Sequence, residues 1–144
     1  NAVRMLPESV SGCGRNMQLK DCELIISSPY TRTMQTSAIL SRHLNLDIKV
    51  EIDIRELELD LSYQVKSFDE LRQIAIEEQK CNDEQLPYNS TYKWESRGDV
   101  KKRVLNVLND YKEYRKVIVV THGMVIHCLT GKIGIPNCSI TEFT

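Results

Sequence analysis

Short, wholly apolar runs alternate along this chain with stretches in which apolar residues return every three or four positions. Leu24-Ile-Ile-Ser27 and Val117-Ile-Val-Val120 are runs rich in β-branched residues, the pattern of a strand covered by helices on both faces. Ile48 to Ile52 sets Ile48, Val50 and Ile52 against Lys49 and Glu51, which predicts a half-buried strand. Helical spacing predicts a helix over Thr31 to Leu44. Phe68, Leu71, Ile74 and Ala75 predict another over Phe68 to Glu78, and Val100, Val104, Leu105, Val107 and Leu108 a third over Asp99 to Tyr114. A further helical pattern begins after Gly123. Cys81 to Ser90 is polar, contains Pro87 and reads as a loop. No repeat, low-complexity tract or linker divides the chain. Strands alternating with helices predict a parallel α/β domain.

Two strand-to-helix junctions carry chemistry. His122 stands where Val117–Val120 gives way to Gly123 and the next helix. In open parallel sheets ligands bind outside the carboxyl ends of the strands, and a helix start offers amide donors to an anion. His122 there is either a ligand for phosphate or carboxylate or a plain loop cap. The earlier junction favours the first reading: Leu24–Ser27 runs through Ser28 and Pro29 into a helix with Arg32 in its first turn. Pro suits a helix start. A cation is disfavoured there by the helix dipole, so an anion to hold would explain it.

Ser27-Ser-Pro-Tyr-Thr-Arg-Thr-Met-Gln-Thr resembles the Ser-Ser-Pro-x-x-Arg-x-x-Gln-Thr motif of the histidine phosphatase superfamily, and Thr121-His-Gly resembles its second histidine motif. Ile54-Arg55-Glu56 is similar to the family's Leu-x-Glu, Trp94-Glu-Ser with Arg103 to its Glu-Ser and arginine segment, and Pro136-Asn-Cys-Ser-Ile-Thr to its C-terminal edge strand. The resemblance runs from about Gly14 to the end. It implies a phosphoglycerate-mutase-like α/β fold: a mostly parallel central sheet flanked by helices on both faces, three layers α/β/α. The whole of 1–144 is expected to be one such domain, with 61–95 a helical insert over the site that sets the substrate.

The resemblance implies a metal-independent phosphomonoester hydrolase acting through a phosphohistidine, with no cofactor. Preorganised positive charge does most of the work on the loose transition state. Arg32 and His122 would hold phosphoryl oxygens, and Glu56 would protonate the leaving alkoxide and then help activate water. Glu58 or Asp60 could serve instead if the loop is shifted. Substrate binding would fall to Arg32, His122, Gly123, Met124, Ser28 and Asn1, Met124 standing where many members have a second glycine.

The family's nucleophile stands in an N-terminal Arg-His-Gly at the end of the central strand, and no such motif occurs in this sequence. Val3-Arg4-Met5 has methionine in the histidine's place. Asn1-Ala-Val-Arg4 fits the family's continuation after that motif. The expectation is therefore that the central strand and its histidine lie upstream, and that the sheet lacks that strand. An inactive relative that keeps the phosphate pocket is the alternative of a different class. Phosphoglycerate mutase proper fits less well, since those members carry longer inserts and a C-terminal tail, and an unrelated α/β protein would need two chance matches in the correct order.

Composition changes little. Of 144 residues 41% are hydrophobic and 27% charged, with a formal net charge of -1, which suits one ordinary core. Neither a basic run nor an aromatic-interleaved patch suggests nucleic acid, and no apolar stretch would span a bilayer. The expected partner is a small phosphorylated substrate, and a homodimer is left open. Five scattered cysteines, Cys13, Cys22, Cys81, Cys128 and Cys138, read as reduced thiols of a cytoplasmic protein. No metal site is expected, because His122 and His127 are five apart and no Cys-x-x-Cys occurs. His43 reads as surface. Tyr63, Tyr88, Tyr92 and Trp94 either line the pocket or, as is commoner, pack the insert on the core.

Overall fold

The computed structural model describes residues 2–6, in backbone only, and 19–81, 94–137 and 139–144. Five strands form one sheet in the order β3-β2-β4-β1-β5, with β1 Ala2–Leu6, β2 Leu24–Ser27, β3 Ile48–Val50, β4 Lys116–Val120 and β5 Thr141–Phe143. Four are parallel, and β5 runs antiparallel to β1 at the edge. The helices are α1 Thr31–Leu44, α2 Phe68–Lys80, α3 Arg97–Asp110 and α4 Gly123–Thr130.

The apolar runs form strands because both of their faces are covered. Leu24 and Ile26 of β2 share one face with Val117 and Val119 of β4, and meet Val100, Val104 and Val107 of α3 and Val125, Ile126 and Leu129 of α4. Ile25, Ile118 and Val120 point the other way, toward Leu40 of α1 and Leu19. Period-two alternation in two adjacent strands thus splits the core into two layers, giving α/β/α. Ile25, Ile26, Ile118 and Val119 are wholly buried.

The sequence reading left the place beside β4 empty, and that reading is corrected here. Ala2–Leu6 fills it, pairing Ala2 with Lys116 through Leu6 with Val120. The physical reason is that β4 is buried and its backbone groups on both edges need partners, which five extended residues supply. Met5 of that strand lies opposite Val119, beside the site-bearing end of β4.

Smaller differences follow from local chemistry. The strand expected through Ile52 stops at Val50, and Ile52–Ile54 forms a 3₁₀ turn; Ile52, 59% exposed, has no face to pack against. The third predicted helix begins earlier, at Arg97, because Ser96 caps it by accepting from the Asp99 amide. It ends at Asp110, short of Tyr114. Ser67 caps α2 likewise through Glu70 N–H, and α4 ends on Gly131 in the left-handed region at φ 72°. Of the 61–95 insert, α2 and Trp94, which is 5% exposed and so packed inward, are described. Tyr88 and Tyr92, most of the expected Cys81–Ser90 loop, and Asn1, Cys13 and Cys138 lie outside the described residues. No helix among the described residues is long and apolar enough to cross a membrane.

One side chain ties the loop after the 3₁₀ turn to α3. Arg103 donates from Nε to Glu95 Oε1 at 2.6 Å and from Nη2 to Glu95 Oε2 at 2.9 Å. It also donates to the carbonyls of Asp53, Arg55 and Glu56. Both side chains are about nine-tenths buried, at 11% and 9% exposure. Deleting one member leaves the other charged and unpaired, so Arg103→Met is expected to cost about 3 kcal/mol in urea unfolding. A loss below about 1 kcal/mol would show that the pair does not hold the loop.

Candidate active site

The carboxyl ends of β2 and β4 lie side by side, with Ile26 opposite Val119 and Ser27 opposite Val120. The pairing runs one step further, as the Ser28 amide donates to the Val120 carbonyl at 3.0 Å. The two junctions singled out by the sequence therefore face each other. Ser28 Oγ is 2.8 Å from His122 Nε2, and Arg32 Nη2 is 2.8 Å from His122 Nδ1. A guanidinium can only donate, so Nδ1 accepts from Arg32, and the single proton of the neutral ring sits on Nε2 and is donated to Ser28 Oγ. Burial, then the positive charges of Arg32 and Arg103, push the His122 pKa down to about 4.

The frame around this pair is built from hydroxyls. Ser27 Oγ donates to the Ser28 carbonyl and accepts from Ser37 Oγ of α1. Thr33 Oγ1 donates to the carbonyls of Ser28 and Tyr30. These bonds fix how α1 leaves the strand. Neither α1 nor α4 has a side-chain cap at its start, so the first amides of both helices are left to other acceptors. The Tyr30 ring stands edge-on to His122, centroids 4.9 Å apart, and the Arg32 guanidinium lies 5.2 Å from its centroid. Sequence reasoning did not single out Tyr30. An aromatic ring inside Ser-Pro-Tyr-Thr-Arg, two residues before the arginine, was the available signal.

Glu56 closes the third side, with Oε2 3.9 Å from His122 Nδ1. Thr121 Oγ1 donates to the Ile54 carbonyl at 2.6 Å, and Arg103 holds the carbonyls around it, so the loop is pinned to both β4 and α3. Burial raises the Glu56 pKa, against the opposing pull of the Leu57 amide and of Arg32 and Arg103. The alternatives, Glu58 and Asp60, are engaged elsewhere. Partial burial pushes Glu58 up, but bonds from Arg55 and Tyr63 outweigh it and leave its pKa lowered. Asp60 is lowered by Ser62 and the Val65 amide.

Of the residues expected in the site, Arg32, Ser28, His122 and Glu56 come together, and Gly123 and Met124 begin α4 beside them. Asn1 is outside the described residues. The other histidines do not reach this group: His43 is exposed in the last turn of α1. His127 of α4 has Nδ1 2.9 Å from the Lys132 carbonyl and Nε2 3.4 Å from Arg97 Nη1. Among the described residues no group of three or more His, Cys, Asp or Glu could hold a metal ion.

The low His122 pKa sets a pH signature. The unfolded imidazole titrates near 6.5 and the folded one near 4, so the unfolded chain binds more protons between them. This contribution is fully present above about 6.5 and lost as pH falls toward 4, about 3 kcal/mol in all. Glu56, raised, works in the opposite sense: its contribution is present at low pH and lost as pH rises. Comparing wild type with His122→Asn in urea unfolding from pH 7 to 4 separates the two. The wild type should lose the larger share of its stability, and parallel curves would sink the assignment of a buried neutral ring.

Among curated protein sequences none matches this one. In structure, the chain is similar to the mycobacterial glucosyl-3-phosphoglycerate phosphatase at 18% identity, with a TM-score of 0.68 over 99% of this chain and 88% of that one. YhfR of Bacillus stearothermophilus gives 18% identity and a TM-score of 0.67 over 98% and 89%. The α-ribazole phosphatase of Shigella flexneri gives 17% and 0.56 over 94% and 81%. At these identities the likeness is one of fold. The sequence pattern of the histidine phosphatase superfamily, branch 1, matches residues 8–143, and with the two motifs face to face at the ends of β2 and β4, the chain belongs to that superfamily.

Proposed function

We propose that this chain is a metal-independent phosphomonoesterase, holding the phosphoryl group of a small phosphorylated metabolite between Arg32, Ser28 and His122. The observation that carries this reading is the Arg32–His122–Ser28 contact, with two uncapped helix starts beside it. A phosphate dianion entering there gains the guanidinium that now donates to Nδ1, and an imidazole proton that now goes to a serine hydroxyl. Glu56, raised by burial, stands ready as a proton donor to the leaving alkoxide and then as the base for water. In the phosphohistidine route a P–N bond forms as the ester P–O bond breaks, and water then breaks the P–N bond to release inorganic phosphate.

A second reading, binding of the phosphorylated ligand without turnover, is favoured by one specific observation. The chain has three histidines; His122 is the imidazole of the clamp, and His43 and His127 lie away from it. β1 carries Met5 where the family's nucleophile is expected, and a thioether does not accept a phosphoryl group in this way. The phosphohistidine route therefore calls for an imidazole beyond these three.

One experiment separates the readings. In EDTA, inorganic phosphate should raise the melting temperature of the wild type, and Arg32→Ala should weaken that binding about tenfold or more. Hydrolysis of p-nitrophenyl phosphate in the same buffer supports the phosphatase; phosphate binding without hydrolysis supports the second reading; no phosphate binding refutes both. Given turnover, Glu56→Gln should slow alkyl phosphates about a hundredfold and aryl phosphates far less, because only the former need a proton in the transition state. Equal slowing would remove Glu56 from the role of acid.

A further inference from the structure

Two cavities border Glu56, and one of them continues directly from the clamp. It holds about 600 Å³, with Glu58 and Asp60 on its polar side and Tyr30, Tyr63 and Phe68 on its apolar side. Tyr30 stands edge-on to His122, centroids 4.9 Å apart, and borders this cavity but not the other. Glu56, the proposed proton donor to the bridging oxygen, and Tyr30 thus join the two spaces. The other cavity, about 520 Å³, reaches Arg97, His127 and Lys132; with Glu56 and the Glu78 that binds Arg97 counted, it is close to neutral.

The first cavity is acidic. Asp60 accepts from neutral donors, the Ser62 hydroxyl and the Val65 amide, which leave its charge in place. Glu58 accepts from Arg55 Nε at 3.0 Å, but the same guanidinium gives Nη1 to Asp53 at 2.9 Å. Three carboxylates therefore stand against Arg55 and the exposed Lys66, before Glu56 is counted. Arg103 behind them is matched by Glu95, and Arg32 belongs to the phosphoryl group. Partial burial pushes Glu58 up, but its bonds from Arg55 and Tyr63 outweigh that and leave it lowered. Asp60 is lowered by Ser62 and the Val65 amide, so both are charged at neutral pH.

The apolar side of the cavity is aromatic. Tyr63 and Phe68 are 78% and 82% exposed although they border it, so ring surface is open to a ligand. Tyr63 takes a left-handed backbone conformation, φ 54°, uncommon for a residue with a bulky side chain. Its hydroxyl donates to Glu58 Oε2 at 3.0 Å, which sets ring and carboxylate side by side. Tyr30 already carries one cation, the Arg32 guanidinium 5.2 Å from its centroid. Ring faces and carboxylates attract the same kind of group, a cation with an apolar surface. A second anion would meet like charge, and a neutral apolar group would cover the rings but leave the carboxylates uncompensated.

We infer that this cavity is a subsite for an alkylated ammonium group on the alcohol part of the ester whose phosphoryl group occupies the Arg32–His122 clamp. Tyr63 and Phe68 would cover its methyl groups, and Glu58 and Asp60 would balance its charge. The inference rests on the clamp reading of the preceding section and narrows the substrate to phosphomonoesters of amino alcohols.

The test uses two esters of one shape: phosphocholine, and 3,3-dimethylbutyl phosphate, in which a neutral tert-butyl group replaces the trimethylammonium. Affinities are read in EDTA as Kd by calorimetry, or as KM for an ester that is turned over, with inorganic phosphate measured alongside. Wild type should favour phosphocholine by about tenfold. Phe68→Leu, which keeps an apolar side chain but removes the ring, should cut that ratio about threefold, Phe68→Tyr should keep it, and Asp60→Asn should lower it. Equal affinity for the two esters in a wild type that binds inorganic phosphate overturns the subsite alone. A loss in Phe68→Leu that falls equally on both esters does the same, since it marks lost contact area and not recognition of a cation. Failure to bind inorganic phosphate brings down the clamp and the subsite together.

Discussion

The site depends on the parallel register of β2 and β4. Both strands are buried on both faces, so a slip of one residue would exchange the Ile25 and Ile118 layer for the Ile26 and Val119 layer and leave both helix layers mispacked. The register that satisfies the core sets Ser27 beside Val120 and continues into the Ser28 amide bond to the Val120 carbonyl. Residues 94 positions apart, Ser28 and His122, are thereby brought to 2.8 Å. Apolar packing thus fixes polar geometry, and the site inherits the rigidity of two strands buried on both faces.

Within that frame the electrostatics favour an incoming anion. A buried imidazole beside a guanidinium is held neutral, and the guanidinium spends a donor on a neutral nitrogen instead of a carboxylate. Among the described residues the carboxylate that faces the ring is Glu56, at 3.9 Å from Nδ1, and burial disfavours its charged form. A dianion would satisfy Arg32 and stabilise a proton on the ring in one step, the opposite of what burial and the two guanidinium groups do to the imidazole.

Much of this was legible in the sequence because it depends on local periodicity. β2, β4 and α1 follow from apolar runs and helical spacing, and Arg32 and His122 from standing at strand-to-helix junctions. Elsewhere the local signal misled. Ile52 continues the alternation of Ile48 and Val50, yet a 3₁₀ turn begins there, since strand pairing and not periodicity decides where β3 stops. Ala2–Leu6 is too short and too polar at Arg4 to announce a central strand; its place follows from the unpaired edge of β4, a long-range requirement. The resemblance marked Glu95 and Arg103, but not that Arg103 holds three carbonyls of the Glu56 loop, because backbone acceptors leave no trace in residue identity. Trp94 is packed inward, the commoner of the two readings for the aromatics of the insert.

The Arg103–Glu95 pair also shows why this loop is built with ions and not with apolar side chains. An apolar contact would bury area without direction, whereas Arg103 combines two bonds to a carboxylate with donors aimed at successive carbonyls. Its charge then serves a second purpose, since it is among the positive charges that lower the His122 pKa and oppose the rise at Glu56. A neutral residue of the same shape could fill the space, but it would free the loop and weaken the field together. The coupling of loop position to pocket charge through one guanidinium makes Arg103 part of the site's electrostatics while it touches neither His122 nor the space between the two motifs.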